Sequence, residues 1–278
     1  MLKTRVITAL VMVAFLLPAM FYLPPSYWAI AVAAFIGIAA WEWGALLAWR
    51  KVPRLLLGVI CALLCITISL IDPSATGAAS EFNPDKTWVR AAYGIAAVFW
   101  CLVMPLWLQR KWSLTGIGGL MVGLIVLFPT WLAMVQLRTL GPGVLLGIFS
   151  LVWMADVAAY FSGKAFGKHK LAPSISPGKT WEGAIGAAFG VVLYGLVMRQ
   201  LFSLELMSLT LWIVALLGVT AISIIGDLYE SLLKRKAGIK DSSNILPGHG
   251  GVLDRIDSLT STLPVIGLFW LLVVYSPL

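Results

Sequence analysis

The 278-residue chain is 60% hydrophobic and only 12% charged, with a formal net charge of +8 and a mean hydropathy of +0.96. A soluble domain of this length cannot hide so much apolar surface, so composition excludes a water-soluble fold and defines a polytopic membrane protein. A nucleic-acid binder is excluded too, because the basic residues fall in short clusters between apolar runs rather than across a polar surface.

Nine apolar runs occur at about 5–23, 27–49, 54–71, 88–108, 114–137, 142–162, 183–202, 209–226 and 258–276. Each is near the ~20 residues that a helix needs to cross the hydrocarbon core. None alternates in polarity, and all are too long for barrel strands, so the expected fold is an all-α integral membrane protein, a bundle of about nine transmembrane helices. We divide it into N-terminal helices over 1–140, about five of them, and a C-terminal transmembrane region over 141–278 with two long polar loops at 163–182 and 227–257. Gly119/Gly123, Gly143/Gly147 and Gly186/Gly190 are GxxxG pairs that allow close helix approach, although in a chain with 26 glycines some arise by chance.

Lys3 and Arg5 precede a first run longer than a signal-peptide core with no clear cleavage site, so an uncleaved first helix is expected. With the N-terminus inside, sixteen of the twenty basic residues fall in inner segments, and only Lys86, Arg90, Arg138 and Arg199 fall in outer ones. By the positive-inside rule the N-terminus and both of these polar loops are expected to be cytoplasmic. The outer stretch at 72–87 reads as a connector. Cys61, Cys65 and Cys101 lie inside apolar runs and read as small buried hydrophobes. Trp28, Trp49, Trp88, Trp107, Trp112 and Trp212 sit near run ends, where amphipathic rings favour the interface.

Carboxylates inside a membrane are costly unless paired, protonated or functional. Asp156 lies about six residues from the inner end of its run, roughly 9 Å at ~1.5 Å per residue. Glu42 is placed similarly, and packing and function are equally plausible readings of it. The inner loop that follows carries Gly178-Lys179-Thr180. A P-loop is rejected, because the glycine needed five positions earlier is Pro173 and no strand precedes it. Lys179 and Thr180 ahead of a helix remain suited to phosphate through the positive helix end.

The chain's polar island runs from Ser231 to Asp257. With Asp227 and Glu230 just before it, the island gathers five of the twelve acidic residues, together with Lys234, Arg235, Lys236, Lys240, Arg255 and His249. Charges of both signs suit a site that holds metal ions and phosphates together. Asp227 is expected to end one helix, while Asp254 and Asp257, at i,i+3, open the next on one face. Gly250-Gly251 is expected to let backbone approach a phosphate.

This stretch resembles the phosphatidate cytidylyltransferase (CDP-diacylglycerol synthase) family. The resemblance rests on Ser231, Lys234-Arg235, Lys240-Asp241, Ser243, Leu246-Pro247, His249-Gly250-Gly251 and Asp254-Arg255-Ile256-Asp257, matched without a gap. A second block, Ser176 to Gly183, is also similar, with Gly178 where many relatives carry a second Lys, and Asp156 to Tyr160 is similar as well. The resemblance is strong over the C-terminal half and extends to the N-terminal half only in hydropathy. It implies condensation of CTP with phosphatidate to give CDP-diacylglycerol and pyrophosphate, in the bacterial inner membrane, by an enzyme that is plausibly a homodimer.

On that reading Asp227, Asp254, Asp156 and His249 are the catalytic candidates. Asp227, Asp254 and Asp257 are the candidate Mg²⁺ ligands, with a second cation left open. The substrate contacts are Lys179, Thr180, Glu182, Ser231, Lys234, Arg235, Lys240, Asp241, Gly250, Gly251 and Arg255. Phosphatidate is already dianionic near neutral pH, so His249 is assigned to positioning a phosphate rather than to taking a proton. The rival readings are a transporter, which would spread charges through several helix centres, and a polyprenol-kinase type of CTP-using enzyme.

Overall fold

The computed structural model describes residues 2–204 and 207–275. Among them, nine helices are long and apolar enough to cross a membrane, as the run count requires. In chain order these are α1 (Leu2–Tyr22), α2 (Pro25–Leu46), α3 (Lys51–Ile71), a span broken into α5 (Thr87–Val98) and α6 (Met104–Arg110), α7 (Gly116–Thr139), α8 (Pro142–Phe166), α9 (Trp181–Leu201), α10 (Leu209–Lys236) and α11 (Leu253–Phe269). The outer connector folds into one short helix, α4 (Pro73–Thr76), whose cap residue Asp72 accepts a hydrogen bond from the Ala75 amide. Between α5 and α6 the chain widens into a π-helical turn at Phe99–Val103. Pro105 follows at once; it has no N–H for the Cys101 carbonyl, and the wider turn accommodates its ring.

The most enclosed helices are α2, α7 and α11, while α1 lies almost wholly outside the packing. Two of the three GxxxG pairs are helix contacts. A Cβ on Gly119 or Gly123 would overlap Leu47 or Trp43 of α2, and one on Gly186 or Gly190 would overlap Ser162 or Ala158 of α8. A Cβ on Gly143 or Gly147 would meet nothing, so that pair makes no close helix contact.

Three boundaries differ from expectation, each for a physical reason. Asp227 does not end its helix, because α10 continues to Lys236, more than two turns further. The segment after Gly226 is amphipathic rather than apolar. It buries Leu228, Tyr229, Leu232 and Leu233, pairs Glu230 with Lys234 at i,i+4, and ends on three basic residues that suit the negative end of the helix. The loop expected at 227–257 therefore shortens to about 237–252.

The loop expected at 163–182 is largely an antiparallel hairpin of β1 (Lys170–Ala172) and β2 (Ser176–Thr180), so Gly178-Lys179-Thr180 does lie on a short strand leading into a helix. Helix α8 also keeps its turns through Phe166, where Gly163 packs closely on α9. Asp156 is thus ten residues, or roughly 15 Å, from the helix end rather than six.

Candidate active site

Hydrophobic docking places the hairpin. Ile175, at its turn, is buried against Leu228 and Leu232 of α10. That contact sets β2 beside the C-terminal third of α10, and the Lys179 Nζ comes to 2.5 Å from Asp227 Oδ2. Both side chains stay partly open, 24% and 30% exposed. Ser231, one turn on from Asp227, donates a long 3.4 Å hydrogen bond to Asp227 Oδ1. Asp156 on α8 and Asp257 on α11 both lie within Coulombic reach of Asp227, and Arg255 lies within reach of Asp156. Three helices and the hairpin thus bring Asp156, Asp227, Asp257, Lys179 and Arg255 into one electrostatic neighbourhood.

Asp254 is held differently. Its Oδ1 accepts from Lys234 Nζ at 2.7 Å, and its Oδ2 accepts from the Ser242 amide (2.8 Å), the Ser242 hydroxyl (2.9 Å) and the Gly251 amide (2.8 Å). Its side chain is 3% exposed. Lys234 also lies 3.3 Å from the buried Glu230. As the chain stands, Lys234 is a buried counter-ion rather than an open phosphate contact. Asp254 braces the signature loop from below.

The glycine pair does a different job from the expected one. Gly250 has φ +81, and a Cβ on it would meet Asp254 Oδ2 at 2.7 Å. One on Gly251 would collide with the Ser242 hydroxyl and with the Glu42 carboxylate. The pair is glycine because two carboxylates press against it. The Gly251 amide is taken by Asp254 and is not available to a phosphate.

Two residues of the second block are likewise committed. Thr180, 5% exposed, caps α9, its Oγ1 accepting from the Gly183 amide at 3.1 Å. Glu182 accepts from the His169 amide at 3.2 Å and lies 2.6 Å from His169 Nδ1, which ties the hairpin's start to α9. Neither is free to touch substrate in this arrangement. Arg235, Lys240, Asp241 and Arg255 are exposed. His249 donates its amide to the Leu246 carbonyl at 2.8 Å, and its Nδ1 is buried without a partner.

Two contacts with the loop were not legible in the sequence. Thr8 of α1 donates to the Pro247 carbonyl at 2.8 Å. Glu42 of α2 accepts four hydrogen bonds from the 242–253 segment. An acid inside a transmembrane run was a visible signal for Glu42, but its partners lie 200 residues away. For Thr8 there was no signal.

Carboxylates beside open basic side chains, set into transmembrane helices at an amphipathic helix end, define an integral membrane enzyme that handles phosphate-bearing substrates. The chain belongs to the cytidylyltransferase family, whose model matches residues 3–273. It is 40% identical to the phosphatidate cytidylyltransferase of Pseudomonas aeruginosa over 278 residues, covering 97% of each chain. It is 37% identical to the enzyme of the same name from Haemophilus influenzae, over 99% of this chain and all of that one.

Proposed function

We infer that the chain condenses CTP with phosphatidate, releasing pyrophosphate and forming CDP-diacylglycerol within the membrane. The observation that carries this reading is the unbroken match from Ser231 to Asp257, folded here into one neighbourhood with Lys179 and Asp156. Two polyanions must meet, so basic side chains and cations have to offset their repulsion. Lys179, Arg235, Lys240 and Arg255 would do so.

In the reaction a phosphatidate oxygen forms a new bond to the α-phosphorus of CTP while the bond to pyrophosphate breaks in line. A phosphomonoester has a second pKa of about 6, so near neutral pH the nucleophile has already lost its proton. No side chain need act as general base, and His249 orients a phosphate instead.

Mg²⁺ suits the carboxylates of Asp227 and Asp257, whereas Asp254, the third ligand expected, has both oxygens committed to Lys234, Ser242 and Gly251. Among the described residues no three acidic or histidine side chains converge tightly enough to ligate an ion unaided. That fits Mg²⁺, which is commonly held by one or two carboxylates with substrate phosphates completing the shell. The bound ion would supply charge neutralisation on those phosphates. Asp227 is 30% exposed, and Lys179, now on its oxygen, is the side chain that a cation there would release toward substrate.

The sixteen-to-four division of basic residues supports cytoplasmic placement of the N-terminus, the hairpin and the signature loop. Homodimerisation belongs to the proposal through the family resemblance, and mass measurement in nanodiscs checks it. The function is tested with purified protein in mixed micelles by following CTP products. Pyrophosphate and CDP-diacylglycerol should appear in equal amounts with phosphatidate. Release of CDP with phosphorylation of an added polyprenol would select the kinase reading instead.

A further inference from the structure

We propose that Glu42, on α2 and outside the C-terminal signature, is the positioning residue that fixes the signature loop and the start of α11. Its side chain is fully buried. No ion pair reaches it among the described residues; Arg54 is within Coulombic reach but stacks on Trp41 and donates to the Trp41 carbonyl. A carboxylate so placed persists only if its oxygens are satisfied.

Every one of its donors comes from the signature segment. Oε1 accepts from the Ser243 hydroxyl at 2.5 Å and the Val252 amide at 3.0 Å, and Oε2 accepts from the Leu253 amide at 2.6 Å and the Ser242 hydroxyl at 3.2 Å. Val252 is the cap residue of α11 and provides no side-chain cap of its own. Helix starts leave unpaired N–H groups at a positive dipole end, where a carboxylate is favoured. Helix α11 therefore borrows its capping carboxylate from a helix 210 residues earlier.

The same carboxylate is coupled to Asp254. The Ser242 hydroxyl lies 3.2 Å from Glu42 Oε2 and 2.9 Å from Asp254 Oδ2, and it has one proton to donate. Two buried acids thus hold the loop together, Asp254 crowding Gly250 while Glu42 and the serine crowd Gly251. Fixing the first turn of α11 fixes Arg255 and Asp257 against Asp156 and Asp227. A misplacement of about 1 Å in such a constellation is enough to cost on the order of a hundredfold in rate.

The inference rests on the signature loop being the reacting site, so the test carries a control for that reading. Glu42→Gln, Ser243→Ala and Asp227→Asn are purified full length, and kcat and KM for CTP and phosphatidate are measured per folded molecule. Thermal midpoints and hydrogen exchange at 242–253 are recorded alongside. Glu42→Gln should lower kcat about tenfold or more, and Ser243→Ala severalfold, with faster exchange at Val252 and Leu253 and unchanged exchange within α2. A purely structural role would lower the midpoint and the yield while leaving kcat per folded molecule at wild type, and that result overturns the proposal. If Glu42→Gln does not fold, Ser243→Ala decides: wild-type kcat with slow exchange at 252–253 counts against the proposal, and a severalfold loss supports it. Wild-type turnover in Asp227→Asn would sink the site assignment and this inference together. An inactive Asp227→Asn with wild-type Glu42→Gln and Ser243→Ala would sink the positioning role alone.

Discussion

Lys179 and Lys234 carry the same charge and both face a carboxylate, yet burial gives them different work. The Lys179–Asp227 pair is about a quarter exposed on each side, where an ion pair contributes about 1 kcal/mol or less to stability. Lys234 is 14% exposed between two nearly enclosed acids, and removing it strands Glu230 and Asp254, at a cost of about 3–5 kcal/mol. Lys179→Met should therefore keep its thermal midpoint within a few degrees and lose about tenfold or more in kcat/KM, since a hydrogen bond to a charged group contributes roughly 1.5–3 kcal/mol. Lys234→Met should express poorly and melt early. Thermal melts paired with steady-state kinetics separate the two, and equal losses of stability in both would undo the distinction. Gly251→Ala should behave like Lys234→Met, because its methyl would sit on the Ser242 hydroxyl. His249→Gln should lower turnover only modestly, as a dianionic nucleophile needs no base.

At the scale of elements, hydropathy located all nine spans, because twenty apolar residues have one economical fate in a membrane. It misplaced the end of α10, since an amphipathic extension looks polar to a composition window although half its side chains are buried. The hairpin escaped notice for a related reason: its strands are three and five residues long, and Pro173 and Pro177 mask them. The signature named the candidate site residues as a group. It could not divide them into those that brace the loop, such as Asp254 and Lys234, and those that face solvent, such as Arg255. That division depends on burial and on which donors meet each carboxylate: Lys234, Ser242 and Gly251 for Asp254. Ile175 offers an element-scale test. Ile175→Ala empties the contact with Leu228 and Leu232 and should loosen the hairpin, raising KM through Lys179 with a smaller effect on the midpoint than a core truncation of about 2–5 kcal/mol. An unchanged KM would show that the hairpin is held by something else.

For the whole molecule, the cytoplasmic placement proposed from charge can be tested by labelling. In a background lacking Cys61, Cys65 and Cys101, cysteines at the exposed positions Ser174 and Asn244 should be shielded from impermeant thiol reagents in intact cells, and one at Ser80 should react. The reverse pattern would invert the topology. The most direct measurement of the central claim, cytidylyl transfer at the joint of α10, α11 and the hairpin, follows phosphorus. Purified protein in liposomes containing phosphatidate is given CTP labelled at either the α- or the γ-phosphorus, for the wild type and for Asp227→Asn. The account predicts α-label in the lipid, γ-label in released pyrophosphate, and almost no transfer of either in Asp227→Asn. Label from the γ-phosphorus in the lipid, or undiminished α-label transfer by Asp227→Asn, would contradict it.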